Sequence, residues 1–405
     1  MRQAFLWACA LLLAAGVRAR AGDGECASIS DAGCGCATCD GKAGGCPSCG
    51  GKVGGDGACG DACTDKPLEL FPEVMGVKFG GWVQAGYHSQ QDGTFNMHPD
   101  AVRIHQTWLW AEKKAQQKPC CWDWGFRTDV LYGVDAADTQ AFGNDPGKWD
   151  YLNGFDHGIY GWALPQVYAE FAYDKLDVKI GHFFTLVGYE VVPAKDNFFY
   201  SHAFTQYYSE PFTHTGAIAT YNLTDKLQLM GGWVLGWDTG YDTLDANRGN
   251  AIHSGVTWQL TKEIKFVYMM TGGSLGWRGS GYSHSLILDV ALTEKLKYVV
   301  ESDLVATDGA YVGGAFLPGA ANDDFSLTQY LLYTVNPCWS FGGRLEWWKR
   351  AGSDAYELTG GVNWKPHPNF RLRPEVRYQW GDGLVNNLGL PDSSTIFGID
   401  AIVTF

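Results

Sequence analysis

The final ten residues of the chain alternate between apolar positions and positions of mixed polarity. One register is apolar throughout, with Phe397, Ile399, Ala401, Val403 and Phe405. The other register is mixed and partly polar, with Ile396, Gly398, Asp400, Ile402 and Thr404. Strict alternation predicts a β-strand with one apolar face.

The same period-2 pattern recurs along the chain and predicts about sixteen strands, with fourteen to eighteen as the range. An even number is what single-chain bacterial barrels require. The fold class is therefore all-β: a transmembrane antiparallel β-barrel. The predicted strands are 77–87, 101–113, 122–133, 164–174, 176–185, 214–222, 226–236, 250–260, 263–271, 283–292, 295–305, 325–335, 339–349, 355–364, 370–380 and 396–405.

The segments between the predicted strands alternate in length. Tight turns such as 174–175, 293–294 and 336–337 are followed by much longer connections such as 134–163 and 186–213. Short periplasmic turns and long outer loops are typical of outer-membrane barrels. An even strand count also returns both ends of the barrel to the short-turn side.

Aromatic residues lie toward the ends of the predicted strands, as in the pairs Trp108 with Trp110 and Trp122 with Trp124. Amphipathic rings at the two membrane interfaces explain this placement, although core aromatics of a β-sandwich are the alternative. Pro374 disagrees with its predicted strand, since proline removes a ladder hydrogen bond. We expect either a bulge or a different register there.

The first part of the chain differs from the barrel segment. Residues 1–21 have the charge, apolar stretch and small-residue end of a signal peptide. Residues 22–67 hold eight of the 12 cysteines, are rich in glycine and cannot bury a core of their own. We expect a flexible periplasmic segment at 22–67 and the barrel at 68–405. After residue 21 no run reaches the ~18 apolar residues of a membrane helix.

Composition and net charge limit the classes of function that the chain can have. Aromatic residues make up 14% of the chain and the mean hydropathy is −0.16, which is compatible with strands that alternate apolar and polar positions. The formal charge of −14 becomes −17 once Arg2, Arg18 and Arg20 leave with the signal peptide. Such acidity argues against a nucleic-acid partner.

Two features carry a family resemblance. One is the block GHFFTLVGYEVVPAKDNFFYSHAFTQYYSEPFTHTG, from Gly181 to Gly216, and the other is the closing strand that ends on Phe405. Together they resemble the OmpL-like outer-membrane β-barrel porins of planctomycetes, over roughly residues 76–405. The resemblance implies a closed, water-filled barrel for passive passage of small solutes. A closing strand with a terminal Phe also resembles the strand that the barrel-assembly machinery recognises.

Charged residues of the predicted strands share one register, which we expect to face the lumen because charges on the lipid side are costly. Arg371, Arg373 and Arg377 form a basic column on one strand. Two interpretations stay open: a cationic wall that faces an acidic constriction, or charge pairs that hold the wall together. The predicted pore-lining residues are Arg103, His105, Arg127, Asp129, Lys179, Glu301, Asp303, Arg344, Glu346, Arg371, Arg373, Glu375 and Arg377.

Residues 186–213 are too aromatic for a loop in bulk water. We expect this loop to fold into the barrel and constrict it, with an external lid or an oligomer contact as alternatives. The carboxylates of residues 134–163, among them Asp135, Asp138 and Asp150, are further candidates for an acidic constriction. The predicted constriction residues of 186–213 are Glu190, Asp196, Phe199, Tyr200, Tyr207, Tyr208 and Glu210.

The N-terminal segment contains a tandem repeat with two Cys-x-x-Cys pairs, Cys36 with Cys39 and Cys46 with Cys49. Disulfides are the default for an even set of cysteines in an exported protein. Four thiolates could instead bind Zn²⁺ in a tetrahedral site, as in the similar zinc units of DnaJ-type chaperones. A tether with mixed thiol states is the third alternative. No other cofactor is expected.

Catalytic motifs such as Gly-x-Ser-x-Gly and His-Glu-x-x-His do not occur in the sequence, so we do not expect an enzyme. The sequence predicts an outer-membrane porin for small hydrophilic solutes or ions, in contact with membrane lipid. A homotrimer and a contact between residues 22–67 and the cell wall are compatible with it. The alternative is a structural barrel that anchors the envelope through its cysteine-rich segment.

Overall fold

In the computed structural model, which describes residues 66–405 apart from 243–248, 313–314 and 319–322, sixteen antiparallel strands form a closed barrel. Each strand pairs with its neighbours in the chain, and the first strand (Lys78–His88) closes the barrel against the last (Ser393–Thr404). Gly309–Val312 and Ala315–Pro318 form a separate two-stranded sheet, so the barrel strands on either side of it, Leu296–Thr307 and Asp324–Asn336, pair directly with each other. The prediction of a sixteen-stranded antiparallel barrel is confirmed.

The barrel strands match the predicted segments closely. They are β1 (Lys78–His88), β2 (Arg103–Lys113), β3 (Trp122–Gly133), β4 (Gly161–Tyr173), β5 (Leu176–Phe184), β6 (Thr213–Thr224), β7 (Leu227–Val234), β8 (Asn250–Gln259), β9 (Ile264–Ser274), β10 (Ser280–Ala291), β11 (Leu296–Thr307), β14 (Asp324–Asn336), β15 (Trp339–Arg350), β16 (Ser353–His367), β17 (Phe370–Trp380) and β18 (Ser393–Thr404). The hairpin outside the barrel comprises β12 (Gly309–Val312) and β13 (Ala315–Pro318). Short helices occupy Ala136–Thr139 and Asp382–Leu388.

Alternation along each strand separates an outer apolar face from an inner polar face. On β18, Phe397 and Val403 are each 45% exposed, whereas Asp400 on the other face is 1% exposed. On β15, Arg344 and Glu346 are fully buried while Leu345 between them is exposed. Since consecutive side chains of a strand point to opposite faces, period-2 polarity assigns charges to the inside and aliphatic side chains to the lipid side.

The two ends of the barrel differ in the length of their connections. One end, which we call the turn end, carries the connections 114–121, 174–175, 225–226, 260–263, 292–295, 337–338 and 368–369. The other, the loop end, carries 89–102, 134–160, 185–212, 235–249, 275–279, 308–323, 351–352 and 381–392. The connection predicted at 272–282 is shorter than expected because β9 and β10 extend further into it.

A bulge in β2 changes the position of two predicted belt residues. Gln84 pairs with Gln106 but Ala85 pairs with Ile104, so His105 is the extra residue and both His105 and Gln106 point inward. The pattern beyond the bulge is shifted by one residue, which turns Trp108 to the inside, where it is fully buried. The prediction of Trp108 at the membrane interface is therefore wrong.

Pro374 lies in β17 without changing the register. Gly361 pairs with Glu375 and Trp364 with Leu372, on the same register on both sides of the proline. On the opposite edge Pro374 pairs with Ile399 of β18. Neither a bulge nor a wrong register accompanies the proline, because the ladder resumes after the missing N–H group.

Several predictions concern residues outside the described part of the chain. The signal peptide and Cys36, Cys39, Cys46 and Cys49 belong to that part, so the disulfide and zinc alternatives stay predictions. Among the residues that are described, no helix has both the length and the apolar character needed to cross a membrane.

The outward position of Leu358 generates a stability prediction. Leu358 is 52% exposed on β16, between Leu345 and Tyr378 of the adjacent strands. We expect Leu358→Arg to lower the free energy of unfolding in lipid vesicles by about 2–4 kcal/mol, because arginine is costly in the hydrocarbon layer. Val385, with 49% exposure on a connection, is the control. Val385→Arg should change the free energy of unfolding by at most about 0.5 kcal/mol. Guanidine titrations of both variants are the measurement. Equal effects of the two substitutions would contradict the outward, lipid-facing position of Leu358 on β16.

Candidate functional site

Residues 185–212, which we call the inner loop, leave the barrel wall after β5 and return to it at β6. Two short turns interrupt the loop, a 3-10 turn at Ala194–Asp196 and a π-helical turn at Thr205–Ser209. Many of its side chains are buried, and its hydrogen-bond partners in the wall include residues of β2, β11, β14, β15, β16 and β17. The loop therefore crosses the inside of the barrel.

Arg344 of β15 is the central anchor of the inner loop. Its guanidinium donates to Glu190 Oε1 at 2.7 Å, to the Ser201 carbonyl at 2.8 Å and to the Ser201 hydroxyl at 3.1 Å. A further hydrogen bond of 2.5 Å goes to Glu357 Oε1 on β16. One fully buried cation thus joins two distant parts of the loop to two strands of the wall.

The arginines of β17 bind the backbone of the inner loop. Arg373 donates to the carbonyls of Ala194, Asn197 and Phe199 at 2.7–3.0 Å and forms a bidentate ion pair with Asp400. Arg377 donates to the His202 carbonyl at 2.6 Å, and Arg371 donates to the Asn197 carbonyl at 3.1 Å. Carbonyl groups that the loop carries into the barrel obtain their hydrogen bonds in this way.

Wall carboxylates accept hydrogen bonds from the backbone N–H groups of the inner loop. Glu375 accepts from Tyr200 and Ser201 at 2.8 and 2.9 Å. Glu346 accepts from the N–H groups of Phe204 and Thr205, each at 2.7 Å. Glu301 of β11 accepts from the Tyr189 N–H at 2.7 Å. Cations bind the carbonyls and anions bind the N–H groups, so the inner loop is held by charges of both signs.

The surroundings of Glu190 and Tyr200 in the inner loop shift the pKa of each side chain. Burial alone would raise the pKa of Glu190, but Arg344, together with His202, lowers it below its ordinary value, so the carboxylate stays charged. Burial and the charge of Asp400 raise the pKa of Tyr200 well above its usual range. The Tyr200 hydroxyl therefore keeps its proton and is hydrogen-bonded to His105 Nε2 at 2.7 Å, and His105 Nδ1 is hydrogen-bonded to Asp135 Oδ1 at 2.8 Å.

Glycines of the wall make room for aromatic side chains of the inner loop. A Cβ atom at Gly86 would lie 2.6 Å from the ring of Tyr200, and one at Gly342 would lie 2.4 Å from the ring of Phe198. Real Cβ atoms do not come so close to other atoms, so a larger residue at either position would displace the ring. The fit between loop and wall is thus steric as well as electrostatic.

The structure places the predicted pore-lining residues inside the barrel but covers most of them with the inner loop. Arg373 and Arg377 are each 1% exposed, so the prediction of a basic column that faces the aqueous lumen is wrong for these two residues. Their hydrogen bonds to the loop replace water. The other buried members of the set are His105, Asp129, Glu301, Asp303, Arg344, Glu346 and Glu375, while Arg103, Arg127, Lys179 and Arg371 are partly buried.

The predicted constriction residues separate into two groups. Glu190, Phe199, Tyr200 and Glu210 are buried between the loop and the wall. Asp196 keeps its carboxylate 51% exposed and pairs with Lys195 at 2.8 Å.

Two tyrosines connect the inner loop to connections at the loop end of the barrel. The Tyr207 hydroxyl donates to Asp138 at 2.8 Å, and the Tyr208 hydroxyl donates to the Gly93 carbonyl. Burial raises the pKa of Asp138 to about 7, so this carboxyl group is partly protonated near neutrality.

Two other aspartates of the connection 134–160, Asp150 and Asp156, bind groups within that connection or at the start of β4. Asp150 accepts from the N–H groups of Ala141 and Leu164 at 2.9 and 2.8 Å. Asp156 accepts from the side chain of Gln140 at 3.0 and 3.2 Å. These carboxylates fold the connection, because each backbone N–H group inside it needs an acceptor.

Two cavities adjoin the inner loop. A cavity of about 250 Å³ lies between the loop and the wall of β1, β3, β4 and β5, and a second of about 210 Å³ lies near the turn end. Lys195 lines both. The first also contains Arg127, Glu190, Asp196 and Glu210, and the second contains Lys365 and Arg371.

Several residues of the site were missed in the sequence. Asp400 pairs with Arg373, Glu357 pairs with Arg344, and Gln106 bonds to both Val192 and Ala194 of the loop. Asp400 and Arg373 are directly opposite in the β17–β18 register, so opposite charges on paired inward positions were a usable signal. The sequence carries no such signal for Gln106, because the bulge in β2 reverses the direction of its side chain.

The buried pairing of Arg344 with two carboxylates generates a prediction. Arg344→Met leaves Glu190 and Glu357 buried without their cation, which should lower the free energy of unfolding by about 3–5 kcal/mol. It should also make the inner loop sensitive to limited proteolysis. The control is Lys195→Met, which breaks the exposed Lys195–Asp196 pair and should change stability by at most about 1 kcal/mol. An inner loop that stays protected in Arg344→Met would contradict the anchoring role.

Comparison with solved structures shows the same fold at low sequence identity. The chain matches the outer membrane channel DcaP of Acinetobacter baumannii with a TM-score of 0.53 and 11% identity, over 84% of this chain and 100% of that one. A variant of the Rh. blastica porin matches with a TM-score of 0.51 and 12% identity, over 81% and 100%. OmpT of Vibrio cholerae, in its trimer form, matches with a TM-score of 0.50 and 10% identity, over 81% and 99%. No curated protein matches the sequence.

The family comparison agrees with the barrel and with the resemblance of the Gly181–Gly216 block. Residues 76–405 match the family described as "Putative beta-barrel porin-2, OmpL-like", which covers the whole barrel from the turn before β1 to the end of β18. The chain belongs to this family of OmpL-like outer-membrane β-barrel porins.

Proposed function

We propose that the barrel is a narrow outer-membrane pore for the passive diffusion of small hydrophilic solutes or ions, and that the inner loop sets its width. The observation that carries the proposal is the pair of adjoining cavities beside the inner loop, both lined by Lys195. A passage along them would run from the turn end of the barrel to the space enclosed by β1, β3, β4 and β5.

The size of the cavities supports a passage for small solutes. A water molecule occupies about 30 Å³ in the liquid. The cavities of about 250 and 210 Å³ could therefore accommodate a hydrated ion or a small organic solute. The anchored inner loop occupies part of the barrel interior beside these cavities.

The charges along this passage support selection by charge. The turn-end cavity carries Lys195, Lys365 and Arg371, whereas Glu190 and Glu210 line the larger cavity beside Arg127. Pores select ions by their narrowest point and by the charges that line it. Lys195 lies where the two cavities meet, so its ammonium group is the best placed to act on a passing ion.

The width of the pore can be tested in planar lipid bilayers. We expect the purified protein to conduct in discrete ohmic steps, and deletion of residues 192–208 to raise the single-channel conductance several-fold, because the chain that fills the barrel is removed. The step size in potassium chloride is the measurement. Silence of the intact protein would favour a structural barrel over a pore, and an unchanged step size after deletion would show that the inner loop does not constrict.

The role of Lys195 can be tested by measuring the reversal potential of the pore in a salt gradient. Lys195→Glu should shift the preference toward cations, because a carboxylate replaces the ammonium group at the junction of the two cavities. Lys262→Glu introduces the same charge change on the exposed connection 260–263 and is the matched control. Equal reversal potentials for the two variants would show that Lys195 does not line the conduction path.

A further inference from the structure

Three buried carboxylates meet where the inner loop returns to the wall. Glu210 belongs to the loop, and Glu301 and Asp303 project inward from β11. One oxygen from each lies within 4.8 Å of the others. The three residues are 4%, 2% and 1% exposed, so little solvent reaches them.

The surroundings of this carboxylate cluster add negative charge. The carboxylates of Glu190 and Glu346 lie close enough to Glu210 to repel a negative charge there. The nearby cation Arg344 is already bound to Glu190 and Glu357. Buried charges in proteins are paired or coordinate metals, which leaves this cluster in need of a positive partner.

The oxygens of the cluster are also short of hydrogen bonds. Within the described residues, Glu210 Oε1 has no hydrogen-bond partner. The hydroxyls of Ser285 and Ser326, both directly opposite Asp303 in the register, lie beside its carboxylate, but neither forms a hydrogen bond of good geometry with it. More than about 90% of buried polar groups in native structures are paired, so several unpaired oxygens at one point indicate a missing ligand.

The backbone of the inner loop is shaped around Glu210. Gly188 has a φ of +91°, and a Cβ atom there would lie 1.9 Å from Glu210 Oε2. Only glycine fits this backbone without strain or collision. The loop therefore holds the Glu210 carboxylate against the wall carboxylates in spite of their repulsion.

We propose that Glu210, Glu301 and Asp303 bind one divalent cation of the Ca²⁺ type, which links the inner loop to β11. Carboxylate oxygens are the ligands that hard cations prefer, and two oxygens about 2.4 Å from a single Ca²⁺ lie at most about 4.8 Å apart. Both hydrogen bonds of Glu301 end on Oε1, so Oε2 is left for the ion. The site stands whether or not the barrel conducts.

Calcium binding can be measured on the full chain in detergent micelles. After removal of divalent ions with EDTA, titration with calcium chloride in a calorimeter should show a saturable component. Asp303→Asn and Glu210→Gln should each weaken that component at least tenfold. Asp196→Asn removes an exposed carboxylate of the same loop and is the control, with unchanged binding expected.

Stability gives a second readout that does not depend on one variant. Calcium should raise the thermal unfolding midpoint of the intact protein and of Asp196→Asn, because a ligand that binds the folded state stabilises it. The increase should be lost in Glu210→Gln, and circular dichroism before heating identifies any variant that has not folded. A wild-type protein without saturable calcium uptake, or Asp303→Asn and Glu210→Gln proteins that bind as the wild type does, would overturn the site.

Discussion

The hydrogen bonds between the backbone of the inner loop and the charged inner wall are the constraint on which the rest of the structure depends. A chain that enters a barrel loses water from its N–H and carbonyl groups, and each unsatisfied group costs free energy. Arg344, Arg373 and Arg377 serve carbonyls, while Glu346 and Glu375 serve N–H groups. These side chains explain why an aromatic loop can remain inside the barrel.

These hydrogen bonds change what the charged side chains of the inner wall interact with. Charged residues on the inner face of a porin are expected to act on passing solutes. Here most of them act on the protein's own loop, while Arg127 and Arg371 of the wall line a cavity. Selectivity in the proposed pore therefore depends on a small number of groups beside the loop, and the stability of the loop depends on the larger number beneath it.

The carboxylate cluster at Glu210 follows from the same arrangement. The wall supplies both signs of charge to the inner loop, yet the charges do not balance everywhere. Near β15 and β17 the arginines meet carboxylates and carbonyls, whereas at β11 three carboxylates converge and Arg344 is already bound to Glu190 and Glu357. A divalent cation would supply the missing charge and close the last section of the loop against the wall.

Period-2 polarity makes the barrel, its strands and most of its inward positions predictable from the sequence, because it is a local property that each strand displays along its own length. The aromatic residues after β5 also indicated a loop that does not lie in bulk water. Which charged side chains remain open to solvent depends on the fold as a whole. Arg373 binds carbonyls more than 170 positions away in the chain, with a separation of 174 for Phe199, and no local pattern encodes such a contact. The bulge at His105 likewise depends on how β1 and β2 align, which is a property of two strands together.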